Sequence, residues 1–467
     1  MSSLLSGLQS ALQTMLAQQA AINVTQHNVA NANTPGYHRQ EVHLSSNPAY
    51  PSASIYYTAQ AGQIGTGVNA DIVKRFSLTF FDGRYRSQAA LNGQWESAHT
   101  DLSQIEAVLG ETTDNSLVTE LDAFWDGWQA LGSDPTNLTI RNDLYQRAGS
   151  LAAGINQRAE SLIELRKDLD LWIDSDVRQI NEIAARLASL NVEITNVSAM
   201  DLQPNDQLDE RDRLLDELAG ITDIKIGLQD SGEVMVSIGG HALVVGKETY
   251  SLETSPDPGN DNLSSILWED GSAFVPAEGS LSAHLDVRDR VIPAQQTGLD
   301  QLAGSLIAEV NAIHQGGYGL DNSTSLDFFA GTDALSMTLS TDISDPRSIA
   351  SAGAIDSPGD SSVAQLIANL RHQSLMSGGT QTMTTFYADQ IAGLGLEIQE
   401  AESQMANSNL ILDSLGTQRE SVSGVSLDEE AANLIQSQRA FEAAARLTTA
   451  LDEMLDKIIN GMGLVGR

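Results

Sequence analysis

The sequence predicts a mainly α protein with an inserted β domain, its domains discontinuous and nested along the chain. Three observations carry this. Both ends space apolar residues by threes and fours, as helices do. The stretch from Asp143 to Val197 has no Pro, and its only glycines are Gly149 and Gly154. Between about 221 and 292 the apolar period drops to two, the period of strands. The expected pieces are terminal helices forming a coiled coil (1–55 with 422–467), a long-helix rod bundle (56–220 with 293–421) and a small outer β domain (221–292).

The first helix is read from Leu5, Leu8, Leu12, Met15, Gln19, Ile22, Gln26 and Val29, a seam of coiled-coil type. Thr34-Pro35-Gly36 stops it near Ala32, because proline cannot continue a helix and disfavours helical geometry before it. Residues 37–81 then read as largely extended. Leu162, Leu165, Leu169 and Trp172 form one seam of the next long helix. After a one-residue shift Ile173, Val177, Ile180, Ile183, Leu187, Leu190, Ile194 and Val197 form another. A helix over 155–197 is about 65 Å long at 1.5 Å per residue, a rod rather than an ordinary globular helix. Ile224, Ile226 and Leu228, the turn Asp230-Ser-Gly232, then Val234, Val236 and Ile238 predict a hairpin, with further strands at 242–245 and 265–268. Residues 296–315 return to helix, with Leu299, Leu302, Leu306, Val310 and Ile313 on one face, and 381–420 also read as helix. Ser426-Leu-Asp-Glu429 is a capping box with acids in the positive first turn. Behind it Leu434, Ser437, Phe441, Ala444, Thr448, Leu451, Leu455, Ile458 and Met462 repeat the seam. Each terminal seam needs a partner, and the other terminal helix is the simplest one.

Charge narrows the function. Sixty-two acidic and 25 basic side chains leave −37. So acidic a chain has nothing with which to displace counterions from nucleic acid, and anionic membranes disfavour it too. Residues 1–70 nevertheless carry only Arg39 and Glu41. Their Gln, Asn, Ser and Thr can hydrogen-bond in a crowded assembly without desolvating an ion. The absence of Cys excludes disulfides, zinc–thiolate sites and cysteine nucleophiles. No run reaches the roughly 18 apolar residues of a membrane span. The N-terminal segment lacks the basic region and apolar core of a Sec-type signal peptide.

Chemistry-bearing motifs fail in their context. Gly65-Thr-Gly67-Val-Asn-Ala70 fits a loose dinucleotide pattern, but Val68, Ala70 and Ile72 alternate as in a strand instead of opening a helix. Gly240 to Glu248 is one residue too long for a phosphate loop and puts a carboxylate where a hydroxyl is needed. The eight histidines show no zinc-ligand spacing and read as surface or packing residues. Asp168, Asp170, Asp174 and Asp176 lack the Gly and Glu of a calcium loop and read as a solvated helix face. No catalytic, cofactor or metal residue is therefore expected.

Three segments resemble one family. Asn28-Val-Ala-Asn-Ala-Asn-Thr-Pro-Gly-Tyr-His-Arg-Gln40, Gly65-Thr-Gly-Val68 with Ile72-Val-Lys-Arg75, and Ser423 to Phe441 are similar to the terminal signatures of the axial proteins of the bacterial flagellum. Leu208 to Leu218, Gly279 to Arg290 and Leu302 to Phe329 resemble motifs of its hook-associated members at the hook–filament junction. Two departures stand out. His38 replaces the commoner Ser or Thr, and only nineteen residues separate Phe329 from Ile349, where larger members carry a long β insertion.

The resemblance implies a structural, non-catalytic protein exported through the flagellar type III channel without a cleaved signal. It implies terminal helices that pair into the inner tube of the axial structure. The implied partners are further copies in a junction ring, hook protein, hook-associated protein 3, the filament cap protein during assembly, and a cytosolic export chaperone on the C-terminal helix. The assembly residues expected are Leu5, Leu8, Leu12, Met15, Ile22 and Val29 with Leu434, Phe441, Leu451, Leu455 and Ile458. Tyr37, Arg39 and Gln40 are expected to shape the turn and to touch neighbouring subunits; packing within the chain is an equal reading for Tyr37. A hook or distal rod protein, or a secreted enzyme on a flagellar scaffold, are the other readings.

Overall fold

The computed structural model describes residues 2–48, 65–110, 116–229 and 231–461. Helix α1 (Ser2–Asn31) leads to the antiparallel pair β1 (Gln40–Ser46) and β2 (Val68–Arg75). Helices α2 (Thr79–Leu109), α3 (Leu117–Ser133), α4 (Leu138–Ser198) and α5 (Asn205–Ile221) follow. Next come β3 (Lys225–Leu228), β4 (Val234–Ile238), β5 (His241–Val245), β6 (Glu248–Thr249), β7 (Leu252–Asp257) and β8 (Leu263–Trp268). Helices α6 (Ser280–Asp286) and α7 (Ile292–His314) precede the short β9 (Phe329–Ala330) and β10 (Thr338–Leu339). Helices α8 (Ser362–Asn369), α9 (Met383–Ser423) and α10 (Leu427–Asp456) complete the order. The middle of the predicted extended stretch, the turn residue Asp230 and the seam position Met462 lie outside the described residues.

The chain divides into two compact units. The first holds Met1–Ala89, Ile180–Ser251 and Leu410–Arg467; the second holds Ala90–Gln179 and Leu252–Asn409. Strands β3–β6 form a four-stranded antiparallel sheet in the first unit, while β7 and β8 pair in the second.

In the first unit α1 stops where Pro35 forbids continuation, and Gly36 takes a left-handed φ of 78° to turn the chain. The β1–β2 pair lies against α1: Asn47 donates to Gln13, and Gly67 closes on Ser10. Val234, Val236 and Ile238 are buried on one face of β4, as alternation predicts. Their hairpin partner does not follow. Ile226 and Leu228 are 37% and 65% exposed, because β3 ends the sheet and pairs only with β4.

Helix α4 runs 61 residues, about 90 Å at 1.5 Å per residue. It is longer than its apolar seams indicate, because it starts immediately after Asp134-Pro135, where the Asn137 carboxamide accepts the Thr139 N–H at 2.9 Å. It ends before Pro204, with Asp201 at φ 57°. Both predicted seams are buried from Leu162 to Ile194 except at Trp172, which is 38% exposed.

The second unit is organised by an aromatic core. Phe124 and Trp128 on α3 meet Phe328 and Phe329, and Trp125 packs on Phe124, with ring centroids 4.8–6.4 Å apart. Asn311 on α7 fixes those phenylalanines by their backbone: its Oδ1 accepts both N–H groups at 2.9 Å. His314 donates Nδ1–H to the Leu326 carbonyl at 2.7 Å and accepts the Ala350 N–H on Nε2 at 2.9 Å. That pattern requires the neutral ring, and burial lowers its pKa accordingly.

The predicted solvated aspartate face on α4 is corrected at two positions. Asp170 accepts from Arg288 at 2.6 Å and from the Ser264 N–H at 2.9 Å. Asp176 accepts from Ser280 at 3.1 Å and stands 3.9 Å from His284. The carboxylates are spread around the helix as predicted, but those two sides are covered by other elements of this unit.

Candidate assembly interface

The terminal helices do pair within the chain, running antiparallel. Asn28 on α1 meets Glu430 on α10 at 3.1 Å, and Thr448 donates its hydroxyl to the Met15 sulfur at 3.7 Å. A Cβ at Gly7 would stand 3.4 Å from Leu451. On α10 the buried or half-buried positions include Glu430, Leu434, Ser437, Phe441, Ala444, Thr448, Leu451 and Leu455, and just beyond it Ile458, which follow the predicted seam.

On α1 the seam is rotated by one residue, roughly 100° at 3.6 residues per turn. The buried positions are Ala11, Ala17, Thr25 and Asn28. Leu5, Leu12 and Val29 instead reach solvent, at 56%, 52% and 43% exposure, joined by Leu16 at 61%. Leu8, Met15 and Ile22 are half-buried between the two faces. Small side chains face the hairpin and α10, and the leucines are left outside. Helix α10 likewise leaves apolar side chains outside, with Ile435, Leu447 and Met454 each more than half exposed.

A polar tie locks the base of this pair. Asn28 is 1% exposed and every polar atom of its side chain is used. Its Nδ2 donates to the Gln40 carbonyl at 2.8 Å and to Glu430 at 3.1 Å. Its Oδ1 accepts the Tyr37 hydroxyl at 2.8 Å and the Gln40 N–H at 3.0 Å. The Arg39 backbone N–H donates to the Ser423 carbonyl at 2.7 Å, and its guanidinium donates to Glu430 at 2.8 Å. Glu430 therefore holds a buried charge against two donors, a satisfied arrangement at a helix N-terminus that favours anions. Tyr37 is tied within the chain, and its hydroxyl pKa is raised by burial, then by Asp209, Asp206 and Glu430.

Behind the turn lies a carboxylate row on α5. His38 donates its backbone N–H to Asp209 at 3.1 Å, and its Nδ1 stands 2.8 Å from the same carboxylate. Gln40 donates to Asp206 at 3.1 Å and accepts from Asn205 at 3.2 Å. Arg75 joins Asp209 and Asp212, each at 2.8 Å. Burial pulls the Arg75 guanidinium down, but Asp212 and Asp209 outweigh it and hold the pKa above its ordinary value. Burial pushes Asp212 up, and Arg75, Arg86 and Arg211 bring it below the usual carboxylate value.

The structure thus gathers Tyr37, Arg39 and Gln40 into one node, and places the apolar seam residues on two faces of the helix pair. Sequence reasoning missed Asn28, Asp206, Asp209 and Arg75 as members of the node. Glu430 was visible as one of the acids in the first turn of α10, but its role as the anchor of the Arg39 turn was not. The loose Gly65–Ala70 pattern lies at the start of β2, in keeping with its reading as a strand.

Comparison with known proteins finds matches at both ends and in the middle of the chain. Residues 102–329 match a family described as "Flagellar hook-associated protein FlgK helical domain". Residues 8–38 match "Flagella basal body rod protein", and 418–461 match "Flagellar basal body rod FlgEFG protein C-terminal". Flagellar hook-associated protein 1 of Bacillus subtilis is 33% identical over 509 residues, covering all of both chains. The protein of that name from Escherichia coli is 24% identical, covering 98% of this chain and all of its own. The flagellar hook junction protein FlgK of Burkholderia pseudomallei shares the fold at a TM-score of 0.64 and 14% identity. That match covers 73% of this chain and all of the other.

Proposed function

We propose an assembly role for this chain, which belongs to the flagellar hook-associated protein 1 family: it polymerises as the structural adaptor between hook and filament through its paired terminal helices. The observation that carries the reading is the two-faced character of α1. One face is spent inside the chain on α10. The other leaves Leu5, Leu12 and Leu16 in solvent on a helix without Asp, Glu, Lys or Arg. A contiguous exposed apolar stripe asks for a protein partner. Uncharged helices suit a lattice, because identical charges repeated around a tight ring would repel.

On this reading 1–55 with 422–467 form the inner layer, 56–220 with 293–421 the next, and 221–292 the outermost. The partners are further copies of the chain in a ring, hook protein, hook-associated protein 3 and the filament cap protein during assembly. Before assembly a cytosolic chaperone masks the exposed apolar side chains of α10, and export through the flagellar type III channel needs no cleaved signal. Nucleic acid, membrane and cofactors play no part.

The test is the paired substitution Leu5→Glu and Leu12→Glu. Both positions are more than half exposed, so the monomer keeps its circular dichroism and its unfolding midpoint. Returned to a null strain, the variant leaves hooks bare and filament subunits shed into the medium. Normal filaments would remove the outer face of α1 from the assembly mechanism.

A further inference from the structure

We infer that the first unit carries a docking site for an extended acidic segment of a neighbouring protein, in which a carboxylate side chain reaches Arg211 and aliphatic neighbours lie along β3. A cavity of about 290 Å³ opens here, lined by three arginines and the carboxylates Asp82 and Asp212, and by Ile224, Ile226 and Leu228. Two of its arginines are committed. Arg75 holds Asp209 and Asp212, each at 2.8 Å. Arg86 holds Asp216 at 2.7 Å and Asp212 at 3.1 Å.

Arg211 is different. It is 7% exposed, and its Nε is buried without a hydrogen-bond partner. Its Nη1 donates to the Gly232 carbonyl at 3.1 Å. The carboxylate beside it is Asp212 at 3.9 Å, which already serves Arg75 and Arg86. Burial depresses its pKa and Arg75 and Arg86 add to the effect, while Asp212 only partly opposes them. A guanidinium presents its donors as a planar fork, and a carboxylate is the group that matches it.

The apolar part of the lining sets the shape of the ligand. β3 pairs with β4 on one side only, so its other edge offers backbone donors and acceptors to an added strand. Ile224, just before it, and Ile226 and Leu228 within it recur at every second residue, Leu228 at 65% exposure. An incoming strand with an acid flanked at i−2 and i+2 by aliphatic residues matches Arg211 and this apolar lining. Assembly through α1 and α10 does not use this cavity, so failure here leaves the proposed function standing.

The experiment titrates the full chain, labelled with nitrogen-15, with acetyl-Val-Thr-Glu-Thr-Val-amide and with its Gln counterpart. The expected result is a shift of the Arg211 Nε–H and of the 225–228 amides with the Glu peptide, and binding at least fivefold weaker with the Gln peptide. Arg211→Gln should erase that preference. Leu228→Ser, on the open rim, should weaken both peptides and keeps the test decisive if the Arg211 variant does not fold. Equal affinity for the two peptides, shifts confined to other regions, or no shifts with either peptide would overturn the assignment.

Discussion

Replacing Asn28 by Leu tests the polar tie at its centre. The side chain is nearly isosteric, so packing is kept and the effect is chemical. Lost are the donations to the Gln40 carbonyl and to Glu430, and the acceptances from Gln40 N–H and Tyr37. Gln40 is 7% exposed, so its two backbone groups are left in a place that water reaches poorly, at about 1–2 kcal/mol each. Glu430, 2% exposed, keeps Arg39 but loses one donor, which adds about 1 kcal/mol. The sum is about 3–5 kcal/mol, several times the effect of an ordinary surface change. Tyr37→Phe removes only the hydroxyl bond and should cost about 1 kcal/mol. Urea unfolding of the two variants and of the double variant closes a cycle. Because Tyr37 bonds to Asn28 itself, the hydroxyl has no partner left to lose once Asn28→Leu is in place, and the coupling should be about 1 kcal/mol. Hydrogen exchange should also show faster opening at the first turn of α10. The reasoning fails if Asn28→Leu costs under about 1 kcal/mol, or if the two substitutions add within about 0.3 kcal/mol.

Three further outcomes are expected. The buried pair of His284 with Asp101, at 2.7 Å, gives a pH signature. Burial lowers the His284 pKa, but Asp101 and then Asp176 outweigh it, so the folded-state pKa lies above the ordinary 6.5. The protonated folded state is favoured, so its contribution is complete below pH 6.5 and is lost as pH rises through the folded pKa. Urea midpoints of the wild type should therefore fall relative to His284→Gln on going from about pH 6 to about pH 9; parallel curves would exclude the linkage. Arg141 is fully buried and donates to the Pro135 and Ile349 carbonyls at 2.8 and 2.6 Å and to Ser351 at 2.7 Å. Burial brings its pKa down to about 10. Arg141→Lys cannot span those acceptors and should lose about 2–4 kcal/mol in thermal unfolding, whereas a charge-only role would leave it near wild type. Gly67→Ala at φ 103° would put a Cβ 2.8 Å from the Ser10 hydroxyl. It should cost about 1–3 kcal/mol and speed amide exchange in β2, and unchanged exchange would show that the hairpin adjusts freely.

Much of the secondary structure was legible because periodicity reports burial wherever one face is clearly apolar. The α4 seams and the α10 seam are of that kind, and so are Leu299, Leu302, Leu306 and Val310 on α7, all 0% exposed. The beginning of α4 was not, since 138–154 mixes polar and apolar residues, and what fixes its start is a turn at Pro135. Strand β3 alternates like its partner, but alternation cannot say whether the face it draws will be covered. The node of the candidate site was illegible for another reason. Its bonds join residues far apart in the sequence, as with Asn28 and Glu430, separated by 402 positions. No spacing rule relates them; only the pairing of α1 with α10 brings them together.

The rotated seam of α1 follows from a choice that composition leaves open. A helix with Leu, Met and Ile on one side and Ala, Thr and Gly one residue away offers two contact faces. Area alone favours the bulky side, at about 25 cal/mol for each Å² of apolar surface covered. Within one chain that side loses, because the tie at Asn28 fixes the helix azimuth. Asn28 must face Gln40 and Glu430, and positions three, seven and eleven residues earlier, Thr25, Ala21 and Ala17, then turn inward toward the hairpin and α10. The same constraint turns Leu5, Leu12 and Leu16 outward. A polar residue at the end of a neutral helix thus decides which apolar face is used inside the subunit and which is held for its neighbours. Moving the carboxamide by one turn, as Asn28→Ala with Thr25→Asn, should therefore weaken the tie while leaving the outer stripe in place. Exchanging it for the one-residue neighbour, as Asn28→Ala with Val29→Asn, should rotate α1 and bury Leu12. Cysteine labelling at position 12, in a chain with no other thiol, reads that rotation directly. Equal labelling rates in both backgrounds would show that packing against α10, rather than the tie, sets the azimuth.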